Sequence, residues 1–305
     1  MAICDAERRR RQRTNQKRRL LLEGEAEVGG ELPNILGAGS SNPSGGSTPV
    51  LSDEFNTGAL MSGIVMSADG TTVYYCNDSN SVRYRTLSTP YDMSTAGAQG
   101  TYTPTYVGGG PTSGGRLRNI TFNPDGTRVY ITDFSNNRVY VFYLSTAYDV
   151  SEIHGALYDE RFWTQTYQPI AHAFSNDGAY FYLWNGAGGV RRYTLATPWS
   201  FVGTSSATND YTAEAVGTPA HGACYGALII SDGTRMIATQ SALRRLVQYT
   251  LSTPYDTRTS SSTADGYVSM TGGGTTTTGL HMNSSRSEFY MGHYGSTYMM
   301  QRYTY

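Results

Sequence analysis

Residues 67–75 read "SADGTTVYY". An Asp-Gly pair between two short runs of apolar, β-branched or aromatic residues is the strongest short-range hairpin signal, because the turn needs positive φ and the flanking residues suit a pleated surface. The stretch recurs as "NPDGTRVYI" from Asn123, "SNDGAYFYL" from Ser175 and "ISDGTRMIA" from Ile230. The aspartates Asp69, Asp125, Asp177 and Asp232 are 56, 52 and 55 residues apart. A degenerate fifth copy, "NSSRSEFYM" from Asn283, lies 53 further on with Ser285 at the aspartate position. Five copies at this spacing mark a repeat architecture, in which each unit is one supersecondary element that cannot bury its apolar face alone.

Each unit follows one order. A short apolar strand such as "GIVMS" (63–67) leads into the Asp-Gly turn and a second strand such as "TRVYIT" (127–132). A polar turn that differs in every unit precedes a third strand: "SVRYRTL" (81–87), "RVYVFYL" (138–144), "VRRYTL" (190–195) or "LVQYTL" (246–251). A second motif closes that strand: "LSTPYD" from Leu87 and Leu251, "LSTAYD" from Leu144, "LATPWS" from Leu195. Proline presets φ and cannot donate to a ladder, so this is a corner. Its leucine is expected in the packing between units, and Asp92, Asp149 and Asp256 are expected to accept backbone N–H bonds within the turn. A looser fourth segment follows, such as "TYTPTYV" (101–107) or "GALYDERFW" (155–163). Four antiparallel strands per unit make a propeller blade, so the expectation is an all-β, five-bladed β-propeller over residues 48–305. The fifth unit runs through "TYMMQRYTY" (297–305) without a fourth strand, and "TPVLSDEF" (48–55) precedes the first unit. The expected solution is that 48–55 supplies the missing outer strand and closes the ring, which would leave no unpaired blade edges at its ends.

These motifs resemble a known family. Repeats combining a "DGT-x-hydrophobic-Y" hairpin with "V-x-x-Y-x-L-S-T-P-(Y/W)-D" are similar to β-propeller repeats of tailed-bacteriophage virion proteins and bacterial surface proteins. The resemblance covers roughly 48–305 and is clear in four of the five units. It implies a propeller and says little about activity, since propellers are scaffolds with many uses.

Residues 1–47 stand apart. Residues 1–28 form a basic, helix-favouring arm with Arg8, Arg9, Arg10, Arg11, Arg13, Lys17, Arg18 and Arg19, then Leu20, Leu21 and Leu22. Eight basic against five acidic residues give this arm +3 and leave −4 for the rest of the chain. Residues 29–47 read as a Gly/Ser-rich linker. The pattern suits an anchor docking on an acidic surface of a partner protein. Arginine runs also neutralise phosphates, but the arm has no aromatic residue to stack on bases, which argues against nucleic acid.

Other chemistry finds little support. The sequence has no GxSxG, HExxH or Walker loop, so no enzyme is expected. "GGGPTSGG" (108–115) and "TGGGTTTTG" (271–279) read as loops between blades. His154, His172, His221, His281 and His293 are scattered, and His172 and His281 are expected on opposite faces of their strands. "NDSNS" (77–81) lacks the spaced carboxylates of a calcium loop. Cys4, Cys76 and Cys224 form no disulfide or zinc pattern, with Cys76 and Cys224 read as small buried residues. No cofactor or metal is therefore expected. No apolar run reaches the length of a membrane span or of a secretory signal, so no membrane insertion is expected.

The turns between second and third strands are expected to face solvent on the side opposite the uniform corners, free to specialise. They offer a candidate ligand face: Asp78, Asp133, Phe134, Trp184, Asn185, His293 and Tyr294. The functional expectation is a structural protein of a tailed-bacteriophage virion, assembled in the bacterial cytoplasm. The arm would hold it to other virion proteins of tail or capsid, in multiple copies on a symmetric assembly. The propeller would face outward as tail fibre, adhesin or decoration, with a host-surface glycan or receptor as its ligand. The alternative is a lectin-like bacterial surface propeller.

Overall fold

The computed structural model describes residues 50–304 except 78–79, 105–114, 154–159, 164–167, 186–188, 203–211, 216–223, 231–232, 242, 261–264, 270–273, 284–287 and 296–297. The arm and linker, with Arg8 to Leu22, lie outside the described residues. Strand β1 (Val50–Asn56) comes first. Blade 1 is β2 (Met61–Met66), β3 (Thr72–Asn77), β4 (Val82–Leu87) and β5 (Ala96–Tyr102). Blade 2 is β6 (Leu117–Phe122), β7 (Arg128–Asp133), β8 (Arg138–Tyr143) and β9 (Glu160–Trp163). Blade 3 is β10 (Pro169–Phe174), β11 (Tyr180–Asn185), β12 (Gly189–Thr194) and β13 (Thr212–Ala215). Blade 4 is β14 (Ala227–Ile230), β15 (Arg235–Gln240), β16 (Arg245–Thr250) and β17 (Gly266–Ser269). Blade 5 contains β18 (Gly274–Met282), β19 (Glu288–Gly295) and β20 (Tyr298–Thr304). The five sheets are antiparallel and four-stranded, and together they form a five-bladed β-propeller. In blade 5 the fourth, outermost strand is β1, which pairs with β20 from Val50↔Thr304 to Asn56↔Met299.

The corner motif and the Asp-Gly turn are built as one piece. Gly70, Gly126, Gly178 and Gly233 have φ between +70° and +86°. The corner aromatic of the same blade lies directly over each of them. A Cβ on Gly70 would come within 2.4 Å of the Tyr91 ring, and one on Gly178 within 2.1 Å of the Trp199 indole. The aromatic residues Tyr91, Tyr148, Trp199 and Tyr255 themselves adopt φ of 61° to 65°. Their N–H groups donate to the glycine carbonyls at 2.8–3.0 Å. Each corner leucine donates its N–H to the residue after the glycine, as Leu87 does to Thr71 at 2.7 Å. All four corner leucines are buried. Asp92 and Asp149 accept from Ser94 and Ser151 N–H groups at 3.0 and 2.9 Å, and Asp256 accepts from Arg258 N–H at 3.1 Å. Ser200, standing where the aspartate would be, accepts from Val202 N–H at 3.1 Å.

The apolar core lies between blades, as expected for units that bury their faces only against neighbours. One cluster joins Val65 and Tyr74 of blade 1 to Ile120 and Phe122 of blade 2. Others join blade 2 to 3, blade 3 to 4, blade 4 to 5, and blade 5 to blade 1. Innermost strands approach closely. A Cβ on Gly63 would lie 2.7 Å from the Asn119 Cα, and one on Gly226 2.6 Å from the Leu280 nitrogen. Cys76 and Cys224 are free and buried.

Two expectations shift. The fourth strand of blade 1 begins at Ala96, ahead of the expected 101–107, because a 3₁₀ turn at Met93–Thr95 feeds the chain straight back beside β4, pairing Leu87 with Ala96. The first three residues of "TGGGTTTTG" lie outside the described residues, and the rest is not a loop. From Gly274 it is the inner strand β18, whose β-branched threonines suit a ladder, while Gly279 (φ +65°) forms a kink where the backbone meets Ile64 of blade 1.

Candidate binding face

The blades present their second-to-third strand turns on the side away from the corners. In blades 1 to 3 an amide or carboxylate at the end of the second strand folds back to close the turn. Asn77 Oδ1 accepts from the Ser81 N–H at 3.2 Å and its hydroxyl at 2.7 Å. Asp133 accepts from the Asn136 N–H at 3.1 Å and its Nδ2 at 2.7 Å. Asn185 Oδ1 accepts from the Gly189 N–H at 2.9 Å. Gln240 and His293 hold the equivalent places in blades 4 and 5. Burial raises the Asp133 carboxyl above its ordinary range, against the pull of its Asn136 bonds.

The candidate residues therefore divide, and three of them are corrected. Asp133, Trp184 and His293 are not solvated turn tips: all are buried at about 1% exposure or less, inside strands. Asx residues and short polar runs read as turns in sequence, but here the strands extend through them and the side chain serves the turn from below. Trp184 packs between blades 3 and 4 with Cys224 and Ala227. Phe134 and Asn185 are half-buried. Tyr294 lies in β19, and Asp78 falls outside the described residues.

The structure adds two residues that sequence reading missed. The inner strands enter the ring at equivalent positions Ser62, Arg118, Ile170, Tyr225 and Thr278. Arg118 of blade 2 lies over the Phe134 ring, 5.1 Å from its centroid, and also over Tyr225 of blade 4 at 5.6 Å. Its side chain thus spans from blade 2 to blade 4 past blade 3, across the mouth of the ring. The signal was available: at this repeat position Arg118 and Tyr225 stand out against Ser62, Ile170 and Thr278. Arg118 is itself 8% exposed, and an arginine between two aromatic faces is suited to sugar rings and to their carboxylate or hydroxyl substituents.

His172 faces blade 2, its Nδ1 2.6 Å from the Thr132 hydroxyl, and burial lowers its pKa to about 3. His281 stacks beside Tyr290 on the blade 1 side, so the two point to opposite sides of their sheets and form no ring of ligands. Among the described residues no group of three or more His, Cys, Asp or Glu side chains is placed to hold a metal ion. No helix there is long and apolar enough to cross a membrane. The class defined by this architecture is the five-bladed β-propeller. No known protein family matches the chain, and no curated protein is significantly similar to it.

Proposed function

We propose that the chain is a structural protein of a tailed-bacteriophage virion, held to tail or capsid by residues 1–28 and turning its variable-turn face outward for host attachment or decoration. The observation that carries this reading is polarity. Val50 pairs with Thr304, at the end of a third strand, which is the side of the corners. β1 therefore begins on the face of uniform turns. The face bearing Phe134, Arg118 and Tyr225 lies opposite. A basic segment of net +3 in the sequence before β1, together with a propeller whose turns are uniform on one face and specialised on the other, suits an anchored display protein. The role is one of binding and scaffolding rather than catalysis, and copies arrayed on a symmetric particle gain avidity from weak single sites.

Lys17 is the only lysine in the chain. Amine-reactive cross-linking of assembled particles can therefore attach to this protein only at Lys17 or the N-terminal amine, and each cross-link reports what the arm touches. The expected partners are tail or capsid subunits. Deleting residues 1–30 should leave a folded propeller that fails to join particles; full incorporation of the truncated chain refutes the anchor.

A second reading, a lectin-like bacterial surface propeller, is favoured by the Arg118–Phe134–Tyr225 arrangement alone. It predicts saturable sugar binding abolished by Tyr225→Ala with no dependence on the arm.

A further inference from the structure

The head of blade 5, between blades 4 and 5, carries two hydrogen-bonding atoms that are buried and have no partner among the described residues: His293 Nδ1 and Thr277 Oγ1. Both residues are at least 99% buried. They are register partners across β18 and β19, so their side chains rise from the same face of the sheet. That face looks toward blade 4. Their strand neighbours Thr278 and Gly292 look the other way, against Met61 of blade 1. Leu280 and Met291, further along the blade 4 side, pack on Ile237 and Leu246.

A relay favours the hydrogen on His293 Nε2, which leaves Nδ1 bare. Glu54 of β1 accepts from Gln301 Nε2 at 2.6 Å, which orients the amide. Gln301 Oε1 then accepts the Tyr303 hydroxyl hydrogen at 2.8 Å. With its hydrogen committed, the Tyr303 oxygen can only accept from His293 Nε2, 3.5 Å away. Burial, with Arg244 nearby, lowers the His293 pKa to about 4, so the ring is neutral near pH 7. A neutral ring with hydrogen on Nε2 leaves Nδ1 as a lone-pair acceptor in the buried interface with blade 4. His172, on the inner strand of blade 3 and facing blade 2, does not share this condition, because its Nδ1 meets the Thr132 hydroxyl at 2.6 Å. The blades 1 and 2 equivalents of Thr277, Met61 and Leu117, are apolar and sit in apolar clusters.

A bare acceptor and a free hydroxyl side by side in a buried place are costly unless a third group satisfies both. We propose that the His293–Thr277 pair is a binding site for one neutral hydroxyl group, which donates to His293 Nδ1 and accepts from Thr277 Oγ1. Two sources share that chemistry: a long-lived internal water, or the hydroxyl of a sugar. A buried water needs two to four polar partners, and this pair supplies the first two. The inference stands on the propeller alone and is independent of the virion reading.

The test is ring ¹⁵N NMR of histidine-labelled full-length protein at pH 7, with the His293 signals assigned through His293→Gln. The expected result is the Nε2–H form with Nδ1 shifted as a hydrogen-bond acceptor. Oxygen-17 relaxation dispersion separates the sources. If the guest is water, one long-lived water disappears in Thr277→Val, which preserves side-chain shape, and in His293→Gln. If it is a sugar hydroxyl, the Nδ1 signal moves saturably with glucose, galactose or N-acetylglucosamine. An Nδ1–H tautomer, or an unbonded Nδ1 with neither a lost water nor a sugar response, overturns the proposal.

Discussion

The Tyr182 hydroxyl of blade 3 donates a 2.7 Å hydrogen bond to the backbone carbonyl of Tyr255, at the corner of blade 4. The same bond recurs around the ring. Tyr74 donates to the Tyr148 carbonyl at 2.7 Å and Tyr130 to that of Trp199, while the Tyr290 hydroxyl of blade 5 sits 3.3 Å from the Tyr91 carbonyl of blade 1 and gives its hydrogen to Glu288 Oε2 at 2.6 Å. Blade 4 breaks the series: Ile237 occupies the tyrosine position, fully buried, and among the described residues blade 5 has no such corner. Among the described residues, tyrosine thus stands where the next blade offers a corner carbonyl, and isoleucine stands before the blade with no described corner. The corner motif is the acceptor half of an inter-blade fastening whose donor half lies in the preceding repeat.

Removing a donor should cost the bond, and adding one where no acceptor waits should also cost. Tyr74→Phe leaves the Tyr148 carbonyl unsatisfied in a partly buried place and should lower stability by about 1–2 kcal/mol. Ile237→Tyr buries a hydroxyl without that carbonyl and overfills a packed site, costing about 2–4 kcal/mol. Urea denaturation of both variants checks the pair. Equal stability of Ile237→Tyr and the parent would show that the match between donors and corners is incidental.

The glycines under the corner aromatics allow a separation of backbone from steric cost. Gly58 (φ +68°) has no atom within 4 Å of an added Cβ, whereas at Gly178 (φ +71°) a Cβ would fall 2.1 Å from the Trp199 indole. Gly58→Ala should cost about 1 kcal/mol, the left-handed penalty alone. Gly178→Ala should cost roughly 2–3 kcal/mol more, because the indole must leave the turn. Thermal unfolding of the two variants measures the difference, and near-equal losses would refute the docking of Trp199.

Much of this was legible in the sequence, and the limits have a physical origin. Asp-Gly and Leu-Ser-Thr-Pro-Tyr-Asp are local signals, since their φ values, proline and side-chain acceptors are all satisfied within a few residues; hence the blade count and the corners. Asp133 and His293 were read as turn tips because a polar side chain that caps a turn and one that lies within it look alike along the chain. Arg118 and Tyr225 meet across the ring from blades 2 and 4, a contact that no spacing within one repeat encodes. The threonine run of β18 was hidden by its glycines, one of which is needed for the approach to blade 1.

Acid should weaken the fold before the carboxylates titrate. Burial lowers the pKa of His172 to about 3 and of His293 to about 4. The unfolded chain takes up these protons near pH 6.5 and the native chain does not, so stability falls as pH drops from about 6.5 toward 4, by about 1.4 kcal/mol per pH unit per histidine. The loss levels off once pH passes below the native values. Asp53 and Asp133, whose carboxyls burial raises, act in the opposite sense at the lower end, so pH 6.5 to 5 is the clean window. His293→Gln should flatten the slope there by close to one proton; an unchanged slope excludes His293 as a contributor.

Thiol chemistry should report the ring's integrity. Burial pushes the Cys76 thiol far up and the Cys224 thiol up to about 12, so neither forms thiolate in the native protein. Native protein should react with a thiol reagent at one site at most, Cys4, and at three in urea. Reaction at Cys76 without denaturant would mean that blades 1 and 2 separate readily.

The strand contributed by Val50–Asn56 should matter more to stability than the 49 residues before it. Asp53 receives Arg302 Nη1 at 2.8 Å and the Met93 N–H of blade 1 at 2.8 Å, while Arg302 also pairs with Glu288. One carboxylate on β1 thus ties blade 5 to the corner of blade 1, at the junction where Tyr290 lies beside Tyr91. Removing residues 1–47 leaves every strand of the five blades in place, β1 included, and should leave the unfolding temperature unchanged. Removing 1–56 bares the ladder edge of β20 and strands Arg302 with one partner. That chain should lose several kcal/mol and associate through the exposed edge, because an unpaired strand recruits another. Adding back a peptide of residues 48–58 should restore part of the loss in proportion to its concentration, as expected for a ligand that binds only the folded ring. A 1–56 deletion as stable and monomeric as the 1–47 deletion would show that the ring is held without this strand.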